Sequence, residues 1–190
     1  MSLYDFFKFL HILTVVFMAA PLYNLVVVNE RARFGKAHLQ VDQYFENLIR
    51  GNSIRCYIFQ LTALATGLLL ISLQGSLTPL FTNWILLVKF LLLLVLTLSL
   101  VHFSLQPQID GLLAKAEGDA LPQAIAAQIG PLRLRRKRLA ATCLFLVITT
   151  VLLGLQVVSR FAASLTVILI VLAALFAWRV YRSRIPYGWV

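Results

Sequence analysis

Residues 83–103, NWILLVKFLLLLVLTLSLVHF, constrain this chain more than any other stretch. About twenty apolar residues at 1.5 Å rise each span the hydrocarbon core of a bilayer. The run therefore reads as a membrane helix, with Trp84 at one end and His102 near the other. A single lysine, Lys89, interrupts it. A charge at that depth costs roughly 2.5–3.5 kcal/mol to insert, so it calls for a partner or a task.

Composition extends this reading to the whole chain. The 190 residues are 61% hydrophobic, with a mean hydropathy of +0.88. Soluble domains sit nearer 45–50% apolar. The expected fold class is all-α, a single polytopic membrane helix bundle over residues 1–190. The net charge of +10 suits basic loops facing anionic lipid better than nucleic acid, so no nucleic-acid partner is expected.

Five spans are expected, at about 4–28, 56–73, 84–106, 139–158 and 161–178. The first run lacks the charge-then-short-core order of a signal peptide and reads as a retained helix. Residues 29–55 form a basic loop whose middle, HLQVDQYFENLIR, fits a short amphipathic helix on the membrane surface. Residues 107–138 form a second basic segment, which Pro122, Gly130 and Pro131 are expected to break into short pieces. It ends in RLRRKR, residues 133–138, read as a stop signal beside anionic lipid. The basic flanks place both segments and the C-terminus in the cytoplasm and the N-terminus outside, in a bacterial-type inner membrane.

The polar groups inside the spans are the candidate functional residues. His11 lies about two turns into the first span, and Met18 falls on nearly the same face seven residues later. Lys89 is expected at the depth of His11. His102 is expected roughly 15 Å from it along the membrane normal, counting 1.5 Å per residue. One haem iron does not take both histidines unless the helices tilt or shift. That leaves a single-histidine site, two sites, or a second ligand from Met18 or another chain. Cys56 and Cys143 read as small buried hydrophobes. The acidic residues fall in loops or at edges, and no nucleophile–base set or phosphate loop is visible, which argues against hydrolysis and a hard-metal site.

The opening KFLHIL, then Trp84, Lys89 and His102 in W-x4-K-x12-H spacing, with Lys8, Thr66 and Gly67, resembles a known group. It is similar to the HemJ-type protoporphyrinogen oxidases, the CopD-type copper-resistance membrane proteins and their uncharacterised relatives, over about the first 110 residues. The uncharacterised relatives are the better likeness, since Met18 stands where the oxidases carry a tryptophan. The resemblance implies haem b as cofactor, His11 and His102 as ligands, and Lys89 as a functional position. It implies a redox or haem-handling role in electron transfer. A cofactor-free accessory subunit of a larger membrane complex is the alternative reading. Copper transport is a weaker one, because Met18 is the one thioether within a span and Cu(I) prefers soft ligands.

Overall fold

The computed structural model describes residues 2–29, 39–98, 101–116, 122–159 and 162–182. Eight helices account for them: α1 (Leu3–Asn29), α2 (Leu39–Ile49), α3 (Asn52–Ser72), α4 (Thr78–Thr82), α5 (Trp84–Leu98), α6 (Val101–Leu113), α7 (Gln123–Ser159) and α8 (Ala163–Arg182). Among the described residues there is no strand. Backbone polar groups in hydrocarbon must pair within their own segment, which leaves an apolar chain of this kind little but helix.

Four stretches are long and apolar enough to cross a membrane: Leu3–Asn24, Gln43–Ser72, Gln123–Ser159 and Ala163–Arg182. α5 is a fifth, shorter apolar helix. The third expected span, 84–106, is described as two helices, α5 and α6, with residues 99 and 100 between them outside the described set. Residues 160 and 161, at the junction of the fourth and fifth expected spans, also lie outside it, and so does His38.

α1 packs against α3 and α7, while α5 packs against α7 and α3; α8 leans on α7 alone among the more extensive contacts. The reason lies in the stripe α1 presents. Thr14, Met18, Leu22 and Val26 recur every four residues and are buried, whereas Val16, Phe17 and Tyr23 between them are exposed, as are Phe9 and Leu13 before them. In a bilayer that exposed face meets lipid tails. The central core joins Met18 and Leu22 to Cys56, Ala63, Leu93, Leu96, Cys143, Leu144 and Val147.

Most of the described membrane threonines are satisfied within their own helix. Thr14, Thr62, Thr97, Thr149 and Thr150 each donate to the carbonyl four residues earlier, at 2.7–2.9 Å. This satisfies a hydroxyl inside hydrocarbon without breaking the helix.

The basic segment 107–138 departs from expectation. α7 begins directly after Pro122, as expected, but Gly130 and Pro131 do not break it. Pro107 sits inside α6, and Gly130 and Pro131 sit inside the 37-residue α7. A proline removes one backbone donor and crowds the preceding turn. Here the turn before Pro131 is anchored by Ile129, which is fully buried against Ile109 and Leu113 of α6. That apolar contact keeps α6 and the start of α7 together as a helical hairpin.

RLRRKR is not simply a solvated basic face either. Arg133, Arg136 and Lys137 are 4%, 2% and 1% exposed. α2 supplies the reason. Its Glu46, 2% exposed, points into the protein rather than lying at an edge. Arg136 donates Nη1 to Glu46 Oε2 at 2.6 Å and Nη2 to Oε1 at 3.1 Å, while Arg133 Nε reaches Oε1 at 3.0 Å. Gln106 of α6 joins the set, accepting from Arg136 at 2.7 Å and donating to Asp110 at 3.1 Å. α2 is thus clamped to α6 and α7 by a buried carboxylate in a fork-to-fork pair.

Candidate functional site

The polar groups of the spans gather at the opposite end of the bundle. His11 of α1 turns its ring toward α3. Its Nδ1 lies 2.9 Å from the Thr66 hydroxyl. Thr66 Oγ1 is also 2.6 Å from the Thr62 carbonyl and 3.3 Å from that of Ala63. A hydroxyl has one proton, and the short contact to Thr62 commits it to the backbone. Thr66 therefore accepts from His11, which must carry its proton on Nδ1. The tautomer is assigned from this network. In a neutral imidazole it leaves the Nε2 lone pair unprotonated, the arrangement that metal-binding histidines use when the other nitrogen is held by a hydrogen bond.

Gly67 gives the ring its room. A methyl group at that position would stand 3.3 Å from His11 Cε1 and 3.8 Å from Nδ1. The small residues of α3 permit close approach of α1, as small residues do between membrane helices. Here the side chain that profits is the imidazole.

Lys89 reaches the same region from α5. Its ammonium lies over Gly154 of α7, where a methyl group would meet Nζ at 3.0 Å. Its charge also acts on the His11 ring. Among the described residues no carboxylate forms an ion pair with Lys89. Four helices thus converge on one polar spot: His11 from α1, Thr66 and Gly67 from α3, Lys89 from α5, Gly154 from α7. A cation beside a basic nitrogen lone pair is suited to an anionic group that also offers an acceptor for that lone pair, such as a metal centre carrying carboxylates.

The other expected residues are placed elsewhere. Met18 is fully buried in the central core, seven residues deeper than His11 and so about 10 Å further along α1. His102 begins the first turn of α6, one turn before Gln106, and its side chain lies outside the described set. Gln106 belongs to the Glu46 cluster. That cluster and the Lys89 level are separated on α7 by Arg136 and Gly154, eighteen residues or about 27 Å apart. His11 and His102 are therefore near opposite ends of the bundle. Cys56 and Cys143 are buried in the central core and are not joined in a disulfide, and Gln60 donates to Cys56 Sγ at 3.3 Å. Among the described residues no three His, Cys, Asp or Glu side chains converge on one point.

Gly154 beneath Lys89 and Glu46 of the arginine cluster are positions that sequence reasoning did not single out. Glu46 had a visible signal: it lies three residues before Ile49, on the apolar face of α2. Gly154 had only its small size within an apolar run.

Comparison with protein-family models, with curated proteins and with solved structures gives no match for this chain.

Proposed function

We propose that this chain is a multi-pass membrane protein that holds a b-type haem on His11 and takes part in electron transfer or haem handling. The observation that supports the reading is the Thr66 contact, which assigns the His11 proton to Nδ1 and so would let Nε2 act as a ligand. His11, Thr66, Gly67 and Lys89 are the residues that would hold such a group. The imidazole is oriented by Thr66, seated on Gly67 and set in a mostly apolar bundle, which are the levers by which a protein tunes an iron centre. Lys89 would hold a propionate carboxylate, giving the intramembrane charge its partner. Bound haem supplies one-electron chemistry there. The chain's own part is to orient the ligand, exclude water and balance charge. His102, near the other end of the bundle, would serve a second site or act through a second chain.

The proposed topology has five spans, with α5 and its continuation as the third. The N-terminus and the His11 end lie outside, and the arginine end lies in the cytoplasm of a bacterial-type inner membrane. The Lys/Arg excess of residues 29–55 and 107–138 supports that orientation.

An absorption spectrum of the purified full chain tests the haem assignment. A Soret band with reduced α and β bands is expected. It should be lost or strongly shifted in His11→Ala and unchanged in His38→Ala. Normal haem content in a His11→Ala, His102→Ala double variant would sink the reading in favour of a cofactor-free accessory subunit.

A further inference from the structure

The arginine end carries a second constellation, on the outer surface of α7 and α8. Trp178 and Tyr181 stack with centroids 6.4 Å apart and planes 6° from parallel. The Arg138 guanidinium of α7 caps the Tyr181 ring at 5.0 Å, and that of Arg182 caps the Trp178 ring at 4.9 Å. Each of the two parallel rings thus carries its own arginine. Both arginines are exposed, and Trp178 is 55% exposed.

From these contacts we propose that the stack is a binding site for the phosphate of an anionic phospholipid. Three features point to that occupant. An arginine whose face rests on an aromatic ring is pre-set in orientation and keeps its N–H edge for a planar or tetrahedral oxyanion. Neither helix carries a carboxylate of its own beside Arg138 and Arg182, since residues 123–182 contain no Asp or Glu, and Glu46 of α2 is taken up by Arg133 and Arg136. Below the stack, Leu175, Val171 and Ile168 of α8 are 59%, 51% and 55% exposed and run on toward the middle of the helix. They lie on or beside the face that carries Trp178, at spacings of three, seven and ten residues. A headgroup held by the arginines would lay its acyl chain along them. A tryptophan and a tyrosine at that level belong to the interfacial belt of a membrane protein.

The site is distinct from the buried Glu46 cluster. Arg138 follows Lys137 on α7 but faces outward, whereas Arg133 and Arg136 face the carboxylate.

Trp178 is its own reporter. In a Trp84→Phe, Trp189→Phe background the full chain would be placed in phosphatidylcholine nanodiscs. These would be doped with brominated phosphatidylglycerol or, separately, brominated phosphatidylcholine. Quenching of Trp178 should require about fivefold less of the anionic lipid for each arginine engaged, since one such charge contributes on the order of a fivefold gain. The preference should vanish in Arg138→Gln, Arg182→Gln and persist in Arg55→Gln, Arg135→Gln, which removes the same charge elsewhere. Excess inorganic phosphate at matched ionic strength should not relieve the quenching. Equal quenching by the two lipids overturns the site. So does equal loss in both double variants. Relief by phosphate would reassign it to the free ion and overturn the lipid.

Discussion

His11 Nδ1 and Thr66 Oγ1 are 2.9 Å apart, and Thr66 has already given its proton to the backbone. One hydroxyl on α3 therefore sets the protonation pattern of an imidazole on α1, 55 residues away in sequence. Thr66→Val should leave the Nδ1–H without an acceptor at a cost of about 1–3 kcal/mol. If haem is bound, its affinity should fall about tenfold or more, as for other lost ligand-orienting contacts. The midpoint potential should rise, because a ligand that no longer donates a hydrogen bond is a poorer electron donor to iron. Thr66→Ser should keep the wild-type spectrum and potential. A spectroelectrochemical titration of the three proteins checks both directions.

Lys89 can be displaced without being removed. The group nearest the missing Gly154 side chain is the end of a flexible lysine. Gly154→Ala should therefore be absorbed by a small movement of the ammonium. Its helix propensity gain of up to about 1 kcal/mol should offset the crowding. Gly154→Leu should cost roughly 1–3 kcal/mol and drive the ammonium from the site. Thermal unfolding in detergent and the absorption spectrum together separate the two outcomes. If Gly154→Leu matches the parent in both, the lysine does not depend on that seat.

Lys89→Leu should keep the helical content and melting temperature of the parent, since it replaces a costly intramembrane charge by an apolar group. It should nonetheless lose cofactor or function. Parent-like behaviour in every respect would mean that Lys89 only extends its head toward the membrane surface.

The Glu46 clamp should be far more sensitive than the surface pair at the same end. Removing one partner of a buried ion pair costs about 3–5 kcal/mol, because the other charge is left buried. Glu46→Ala strands the Arg136 and Arg133 guanidinium groups and should be among the most destabilising single changes in the chain. Arg50 and Asp110 are 3.9 Å apart with Arg50 63% exposed, and a pair of that kind contributes about 1 kcal/mol or less. Arg50→Gln should leave the melting temperature within error. A Glu46→Ala protein as stable as Arg50→Gln would show that α2 is held by apolar contacts such as Ile49 instead.

Reporter fusions at Gly35 and Gly118 should be active only as cytoplasmic reporters, because the arginine-rich segments around them resist translocation. Periplasmic activity at either position would invert the proposed orientation and with it the side on which His11 lies.

What the chain is made of was decided by its sequence alone. Long apolar runs in a lipid solvent leave helices as the available structure, and the polar exceptions His11 and Lys89 stood out because each is expensive where it sits. The count of 1.5 Å per residue also separated His11 from His102. The tertiary structure decided the rest, because each remaining feature depends on a partner distant in sequence. RLRRKR reads as a stop signal beside anionic lipid until Glu46 of α2 is brought against Arg136. Pro131 reads as a helix break until Ile129 finds Ile109 and Leu113. Thr66 reads as a small packing residue until His11 arrives to use its lone pair, and Gly154 is unremarked until Lys89 fills the space above it. Periodicity reports which face of a helix is apolar; it carries no record of which group on another helix will meet a given side chain.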